Sequence, residues 1–124
     1  MTVQVVVVDD EIDLPNMIRD YLEDVTDFRV MIALSGKEGL GICTRLHPDV
    51  CIVDMRLPDI TGNEFILAAH KLSEKCKFII HTGSLNYVIP EELKKIGVLE
   101  EAVLFKPVLS LANVVETIQL ILKR

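Results

Sequence analysis

The segment that most restricts the fold is Val50–Asp54, a run of four apolar residues that ends at a carboxylate. A loop punctuated by Pro58 and Gly62 follows it. A short run that is apolar at every position is typical of a strand buried on both faces of a parallel sheet. Asp54 would then lie at the carboxyl end of the strand, where open α/β sheets place their ligands. Taken alone, the segment slightly favours an Asp54 that only caps a turn. The rest of the chain must therefore decide between that role and a functional one.

Segments with strand and helix patterns alternate five times along the chain. Apolar and β-branched runs predict strands at residues 3–8, 28–34, 49–53, 77–81 and 102–105. Apolar stripes predict helices, of which four have capping residues: Asp13, Ser35, Asn63 and Ser110. The remaining helix is short and begins near Pro90. This alternation is typical of a parallel sheet with helices on both faces.

Composition and charge narrow the class of protein further. The length of 124 residues suits a single domain over residues 1–124, and half of the residues are apolar, which is enough for a core. The formal net charge of −6 argues against a surface for nucleic acid or for an anionic membrane. No apolar run approaches the length of a membrane span, and the start of the chain does not resemble a secretion signal. The odd number of cysteines, without metal-type spacing, predicts reduced thiols and a cytoplasmic location.

Polar residues follow the carboxyl ends of four predicted strands. They are Asp9 and Asp10 after the first strand, Asp54 after the third, Thr82 and Gly83 after the fourth, and Lys106 after the fifth. Because those ends share one edge of a parallel sheet, these side chains can converge. Carboxylates at close range repel one another, and a divalent cation would relieve that repulsion. Oxygen ligands with open positions suit Mg²⁺, which commonly shares its coordination with a phosphate.

This arrangement makes Asp54 a candidate nucleophile toward phosphorus, with an acyl phosphate as the product. A metal ion and the Lys106 ammonium would neutralise the charge that spreads over the phosphoryl oxygens. Thr82 can donate a hydrogen bond to one of those oxygens. Gly83 has no side chain, so the backbone there can approach a ligand closely.

Four motifs together resemble the receiver domain of two-component response regulators, the CheY-like family. They are Val8-Asp9-Asp10-Glu11, Asp54-Met55-Arg56-Leu57-Pro58-Asp59-Ile60-Thr61-Gly62, Thr82-Gly83 and Lys106-Pro107, and the resemblance extends over essentially the whole chain. It implies an α/β, flavodoxin-like (βα)5 fold with a doubly wound, five-stranded parallel sheet in the order 2-1-3-4-5. It also implies a phosphorelay switch that takes a phosphoryl group from a sensor histidine kinase or a phosphotransfer protein onto Asp54. Such a domain catalyses its own phosphorylation and dephosphorylation but is not an enzyme with a separate substrate.

The resemblance also implies a role for each motif residue. The groups expected to bind Mg²⁺ are Asp10, Asp54, the backbone carbonyl of Arg56 and, through water, Asp9. The side chains expected to contact the phosphoryl group are Thr82 and Lys106. The Lys106–Pro107 peptide bond is often cis in such domains. Secondary candidates around this site are Glu11, Gly83, Ser84, Pro107 and Val103.

Two features depart from the family pattern. Receiver domains usually carry Tyr or Phe three residues before the lysine as a rotamer switch, and this chain has Val103 there, so the usual coupling to Thr82 is open to question. The segment between Thr82 and the lysine is also slightly longer than usual, and we expect the excess at residues 97–101, near the surface used for output. Arg56 and Ser84 occupy the two variable positions at the rim of the site, and we expect Arg56 to alter the phosphoryl lifetime.

Two other functions stay open. Val103 is compatible with an interaction module that uses the same fold without phosphorylation, although the acidic and lysine positions are intact. An aspartate-nucleophile phosphatase of the haloacid-dehalogenase type needs a second acid two residues after the nucleophile, where this chain has Arg56. A downstream partner, an output domain and a homodimer are all possible. We interpret His81 as a packed or solvent-tipped side chain rather than a catalytic base, and Asp59 as part of its own turn rather than a metal ligand.

Overall fold

The computed structural model describes residues 2–108 and 110–123. Within these residues, strands alternate with α-helices, and a 3-10 turn, Glu100–Ala102, precedes the last strand. The strands are β1 (Gln4–Val8), β2 (Arg29–Ala33), β3 (Val50–Asp54), β4 (Lys77–Thr82) and β5 (Val103–Phe105). The helices are α1 (Asp13–Val25), α2 (Gly36–Leu46), α3 (Gly62–Leu72), α4 (Glu91–Lys95) and α5 (Leu111–Leu122).

The strands are parallel and lie in the order β2-β1-β3-β4-β5, which confirms the predicted flavodoxin-like fold. β3 is buried at every position, and its side chains alternate between the two faces of the sheet. Val53 belongs with Phe65 of α3 to the apolar cluster on one face. Ile52 belongs with Ile18 of α1 and Ile118 of α5 to the cluster on the other. Burial on both faces therefore fixes β3 in the centre of the sheet and places Asp54 at its carboxyl edge.

Two helices begin at the residues that the sequence predicts. Ser35 is the N-cap of α2, and its side chain accepts a hydrogen bond from the Glu38 N–H. Ser110 caps α5 in the same way, with the Asn113 N–H as donor. Each cap satisfies one of the backbone donors that the first helical turn leaves unpaired.

Two other predicted caps are wrong. Asp13 lies inside the first turn of α1, and Ile12 occupies the N-cap without a side-chain hydrogen bond. The carboxylate of Asp13 still favours that helix end through the helix dipole. Asn63 lies inside α3, which Thr61 caps through a complete capping box with Glu64. Thr61 has the extended backbone that an N-cap requires.

The edge of the sheet beyond β4 also differs slightly from the prediction. The predicted strand at 102–105 begins one residue later, because Ala102 completes the 3-10 turn by donating to the Leu99 carbonyl at 3.0 Å. β4 extends to Thr82, whose carbonyl accepts a hydrogen bond from the Lys106 N–H at 2.8 Å. The Lys106–Pro107 peptide bond is cis, as the family resemblance implies.

The cysteines lie in the interior of the domain. Cys43, Cys51 and Cys76 all lie in the described part of the chain as buried free thiols. Among the described residues, no helix combines the length and the apolar character needed to span a bilayer.

Candidate functional site

The predicted strand ends converge on one open pocket of about 380 Å³. Its lining residues are Asp10, Glu11, Asp54, Arg56, Thr82, Gly83, Ser84 and Lys106. Asp9 is buried beside them. The structure thus brings these predicted residues together, because parallel strands bring their carboxyl ends to the same edge of the sheet. Val103 and Pro107 line a neighbouring cavity instead.

Lys106 stands between three carboxylates. Its Nζ lies 3.1 Å from Asp9 Oδ2, 3.4 Å from Asp54 Oδ2 and 3.5 Å from Glu11 Oε1. Partial burial acts to lower the pKa of Lys106, but the hydrogen bond to Asp9 and the charges of the three carboxylates together raise this pKa above its usual value. The ammonium is therefore fixed as a cation at neutral pH, and it offsets part of the negative charge of the pocket.

The same three carboxylates form a compact set of oxygen donors. One oxygen from each of Asp9, Glu11 and Asp54 lies within 4.8 Å of the other two. An all-oxygen set of this kind fits a hard divalent cation such as Mg²⁺ better than a thiophilic metal. Asp10, which the resemblance assigns to the metal, is exposed on the pocket wall outside this compact set.

Glu11 lies closer to the centre of the site than the sequence predicts, since the sequence makes it only a secondary candidate. Its backbone N–H donates to Asp9 Oδ1 at 2.9 Å, which makes a local turn after β1. Its side chain is mostly exposed, yet it reaches Lys106 across 95 residues of sequence. The signal available in the sequence was the third consecutive acid, Asp9-Asp10-Glu11, which offers a choice of carboxylates at one strand end.

Asp54 combines burial with access. It is the last residue of β3, and only a small part of its surface is exposed. Its Oδ1 accepts a hydrogen bond from the Arg56 N–H at 3.2 Å, and its Oδ2 lies near Lys106. Because Asp54 also lines the open pocket, a ligand can reach a carboxylate whose orientation the protein holds.

Thr82 and Gly83 bring a hydroxyl and an unobstructed backbone to the opposite side of the pocket. Thr82 is buried, and its Oγ1 accepts the Ser84 N–H at 3.1 Å. A hydroxyl that accepts a hydrogen bond keeps its own proton for donation. A Cβ added at Gly83 would meet no described atom within 4 Å, and Gly83 lines the pocket, so the backbone there is unobstructed.

His81 is a packed side chain and not a solvent-tipped one. It is 3% exposed and faces the neighbouring cavity that Val103 also lines. Desolvation lowers the pKa of His81 to about 4, and the positive charge of Lys106 acts in the same direction. Its Nε2 has no hydrogen-bond partner among the described residues. An imidazole whose pKa is this low is a weak base, and His81 lines the neighbouring cavity rather than the pocket, so it is not suited to act as a base there.

Asp59 does more than the predicted turn. It accepts the Ile60 N–H at 3.0 Å, as a turn residue would. Its carboxylate also accepts the Gly36 N–H at 2.9 Å and the Lys37 N–H at 2.8 Å at the start of α2. These two bonds lower the pKa of Asp59, that from Lys37 most strongly. The loop after Asp54 is therefore bonded to a helix that is distant in sequence.

The chain is similar to known proteins over most of its length. The sequence model of the response regulator receiver domain matches residues 5–119. The sensor histidine kinase TmoS of Ectopseudomonas mendocina is 31% identical over 107 residues, which are 84% of this chain and 10% of that protein. The sporulation initiation phosphotransferase F of Bacillus subtilis (strain 168) is 24% identical over 99 residues, which are 80% of this chain and 79% of that protein.

A solved structure shows the same similarity in three dimensions. The response regulator receiver domain protein (CheY-like) from Methanospirillum hungatei JF-1 superposes with a TM-score of 0.78 and is 27% identical. The superposition covers 99% of this chain and 95% of that one. The chain thus spans about a tenth of the length of the kinase, but most of the phosphotransferase and of the solved receiver domain.

Proposed function

The chain belongs to the family of response regulator receiver domains, and we propose that its Asp54 accepts a phosphoryl group from a histidine kinase or a phosphotransfer protein. The family works in two-component phosphorelay signalling. The observation that carries the proposal is the position of Asp54. A buried strand presents its carboxylate to an open pocket, 3.4 Å from the ammonium of Lys106.

The proposed step moves a phosphoryl group between two side chains. A carboxylate oxygen of Asp54 attacks the phosphorus of a phosphohistidine, and a P–O bond forms. The P–N bond breaks, its electron pair returns to the imidazole nitrogen, and that nitrogen takes up a proton. The product is an acyl phosphate on Asp54. Later, water attacks the phosphorus, the P–O bond to Asp54 breaks, and inorganic phosphate leaves with the carboxylate restored.

Lys106 and Thr82 stabilise the phosphoryl oxygens in this proposal. Lys106 is already a cation within 3.5 Å of the carboxylates, so it can pair with a phosphoryl oxygen in place of one of them. Thr82 Oγ1 keeps a proton for donation while it accepts the Ser84 N–H. When that hydroxyl turns toward the phosphoryl group, the turn after β4 loses one of its hydrogen bonds.

A divalent cation fits the oxygen donors of this pocket. Asp9, Glu11 and Asp54 supply the compact carboxylate set. We propose that Asp54, Asp9 and the backbone carbonyl of Arg56 hold Mg²⁺, together with Asp10 from the pocket wall or Glu11 from the compact set. When bound, the cation neutralises charge on the phosphoryl oxygens and orients them toward Asp54.

The output of the switch is a change in binding. The Thr82–Ser84 hydrogen bond links the phosphoryl pocket to the loop that leads to α4. We propose that phosphorylation alters this loop and thereby the affinity for a downstream protein or an output domain. The two alternative functions are less well supported. A phosphatase of the haloacid-dehalogenase type needs an acid where this chain has the exposed Arg56. An interaction module that works without phosphorylation does not need Lys106 to be paired with Asp9 and Asp54.

The proposal is tested by intact-mass measurement after incubation with acetyl phosphate and Mg²⁺. We expect a gain of one phosphoryl group that chelation with EDTA prevents and that Asp54→Asn abolishes. A matched variant, Asp49→Asn, changes the aspartate just before β3, which bonds the Gln4 N–H outside the pocket, and should be phosphorylated normally. A folded protein that binds Mg²⁺ but gains no mass would instead support the interaction module that works without phosphorylation.

A further inference from the structure

Asp59 connects the loop after β3 to the start of α2, across 23 and 22 residues of sequence. Its Oδ1 accepts the Gly36 N–H at 2.9 Å, and its Oδ2 accepts the Lys37 N–H at 2.8 Å. Both carboxylate oxygens thus accept hydrogen bonds from α2, the helix that precedes β3, although Asp59 lies in the loop that follows β3. The Ile60 N–H, at 3.0 Å from Oδ1, holds the carboxylate to its own loop at the same time.

These bonds complete the cap of α2. The first four N–H groups of a helix have no partner within the helix. In α2, Asp59 accepts from the N–H groups of the first two helical residues, and the Ser35 side chain accepts from the third, Glu38. The loop after Asp54 therefore caps two of these three N–H groups, and the residue that precedes the helix caps only one.

The loop and the helix are also in close packing contact at this point. A Cβ added to Gly36 would lie 2.6 Å from Ile60 Cδ1 and 3.2 Å from Asp59 Oδ1. Ile60 is half-buried and packs against the core cluster that contains Phe65. The absence of a side chain at Gly36 is thus what allows the tip of the loop to come within hydrogen-bond distance of the helix.

The far end of this loop carries the groups that surround the phosphoryl pocket. The Arg56 N–H donates to Asp54 Oδ1, and Arg56 pairs with Thr61 in an isolated antiparallel bridge. The Gly62 N–H donates to the Met55 carbonyl at 3.0 Å and closes the base of the loop. Arg56 therefore lies in a short loop that is closed at its base by Thr61 and Gly62 and attached at its tip to α2 by Asp59.

We propose that Asp59 is a positioning residue, which fixes the backbone carbonyl of Arg56 for a divalent cation by bonding the tip of the loop to α2. The inference rests on the proposed function, in which that carbonyl is a metal ligand. Residues behind the ligands of a metal site commonly control its affinity, because they decide where the ligand atoms can lie. The low pKa of Asp59 keeps its carboxylate charged at neutral pH, so the bonds to α2 persist there.

The test compares Asp59→Ala with Ser35→Ala, since each removes part of the same helix cap but only the first frees the loop. Mg²⁺ affinity is measured by calorimetry, and unfolding midpoints are measured in urea. We expect both variants to lose stability, Asp59→Ala more than Ser35→Ala because it removes more bonds to backbone N–H groups. Only Asp59→Ala should bind Mg²⁺ more weakly, by about tenfold. Asp59→Asn keeps one acceptor oxygen and should lie between the wild type and Asp59→Ala.

A second readout uses the metal-free protein. Amide hydrogen exchange at Gly36, Lys37 and Arg56 should accelerate together in Asp59→Ala, whereas Ser35→Ala should accelerate exchange at Glu38 and leave Arg56 unchanged. In phosphorylation with acetyl phosphate, Asp59→Ala should need more Mg²⁺ for half-maximal rate and recover most of the rate at saturation. Wild-type Mg²⁺ affinity in Asp59→Ala, or an equal loss in Ser35→Ala, would overturn the inference.

The failure of this inference differs from the failure of the proposed function. If the wild type binds Mg²⁺ but is never phosphorylated, the proposed function is wrong, and the affinity of Asp59→Ala still decides the role of Asp59. If the wild type does not bind Mg²⁺ at all, both are wrong. If the wild type is phosphorylated and Asp59→Ala has unchanged affinity, only the positioning role is lost.

Discussion

The two loops that border the pocket are held in opposite ways. Residues 55–61, between β3 and α3, are bonded at their tip to α2 through Asp59. Their base is closed by the pairing of Arg56 with Thr61 and by the capping box of α3. The loop is thus held both at its tip and at its base.

Residues 83–90, between β4 and α4, include two large apolar side chains that are exposed, although Ile89 near the end of the loop is buried in the core. Leu85 and Val88 have 79% and 75% of their surface accessible to solvent. Tyr87 attaches this loop to the rest of the domain, because its hydroxyl donates to Asn63 Oδ1 in α3 at 2.8 Å. Inside the loop, the Tyr87 N–H donates to the Ser84 carbonyl at 3.3 Å.

In the proposed function, this difference separates the chemistry of the pocket from its readout. The loop at residues 55–61 begins beside Asp54 and holds the groups that should stay in place during the proposed phosphoryl transfer. The exposed loop begins beside Thr82, whose hydroxyl must turn if it is to reach a phosphoryl oxygen. Residues 83–86, which directly follow Thr82 and are exposed, can follow a turn of its hydroxyl at low energetic cost, while Asp54 stays in place.

Acid should weaken the β4 side of the molecule first. His81 has its pKa lowered to about 4 in the fold, against about 6.5 in an unfolded chain. Between these values the unfolded chain binds a proton that the folded protein does not, so stability falls as the pH drops from 6.5 toward 4. The full difference corresponds to about 3 kcal/mol of unfolding free energy. The pKa of Asp59 is lowered from 3.8, so the stability it contributes is lost only below that window.

Urea unfolding at pH 7 and pH 4.5 measures this effect. The control is His81→Leu, which removes the titrating group and keeps a side chain suited to the apolar cavity. We expect the wild type to lose clearly more stability than His81→Leu over this range. Equal losses in the two proteins would mean that other groups, and not His81, dominate the response to acid.

Glycine substitutions compare the two loops directly. A Cβ at Gly62 would clash with Met55 Cε and lie 2.6 Å from the Asp54 carbonyl oxygen. Because the obstacle includes backbone, Gly62→Ala should cost about 2 kcal/mol. Gly83→Ala adds the same methyl group where no described atom lies within 4 Å, and should change stability by less than about 0.5 kcal/mol. Similar urea midpoints for the two variants would contradict the contrast between the loops.

The parts of the fold that the sequence predicts are those set by local pattern. Each strand is a short apolar run, and each run ends at a polar residue, so the alternation of elements and the convergence of Asp54, Thr82 and Lys106 follow without any long-range information. The start of α3 shows the limit. Thr61 and Asn63 are both good capping residues, and Asn63 instead bonds Tyr87 from a loop more than 20 residues away.

The details of the pocket depend on contacts that no local pattern encodes. Three consecutive acids follow β1. Glu11 joins the compact carboxylate set because its N–H bonds Asp9 and its side chain bonds Lys106, which lies 95 residues later. The bond from Asp59 to α2 is of the same kind. Such contacts form only when the sheet brings separate strand ends together, so they require the structure.

Tyr87→Phe should sharpen the contrast by releasing the exposed loop. It removes the hydroxyl that donates to Asn63 and should cost about 1 kcal/mol, a usual value for one lost hydrogen bond. Amide exchange should accelerate in residues 83–90 and stay unchanged in residues 55–61. Acceleration in both loops would show that they move as one unit, against the separation proposed above.

Arg56 and Ser84 give the smallest expected effect on stability and test the two loops at the rim of the pocket. Both line it, Arg56 from the fixed loop and Ser84 from the exposed one. The Arg56 guanidinium is exposed, so Arg56→Asn should change stability by less than about 0.5 kcal/mol. We expect it to speed the loss of the phosphoryl group by about two- to fivefold, the effect of removing one exposed favourable charge.

Ser84→Ala, measured beside it by the decay of the phosphorylated mass, should have less effect, because a loosely held side chain shields the pocket from water less well. Equal decay in the wild type and Arg56→Asn would remove the role of Arg56, and a larger effect of Ser84→Ala would reverse the assignment of the two loops.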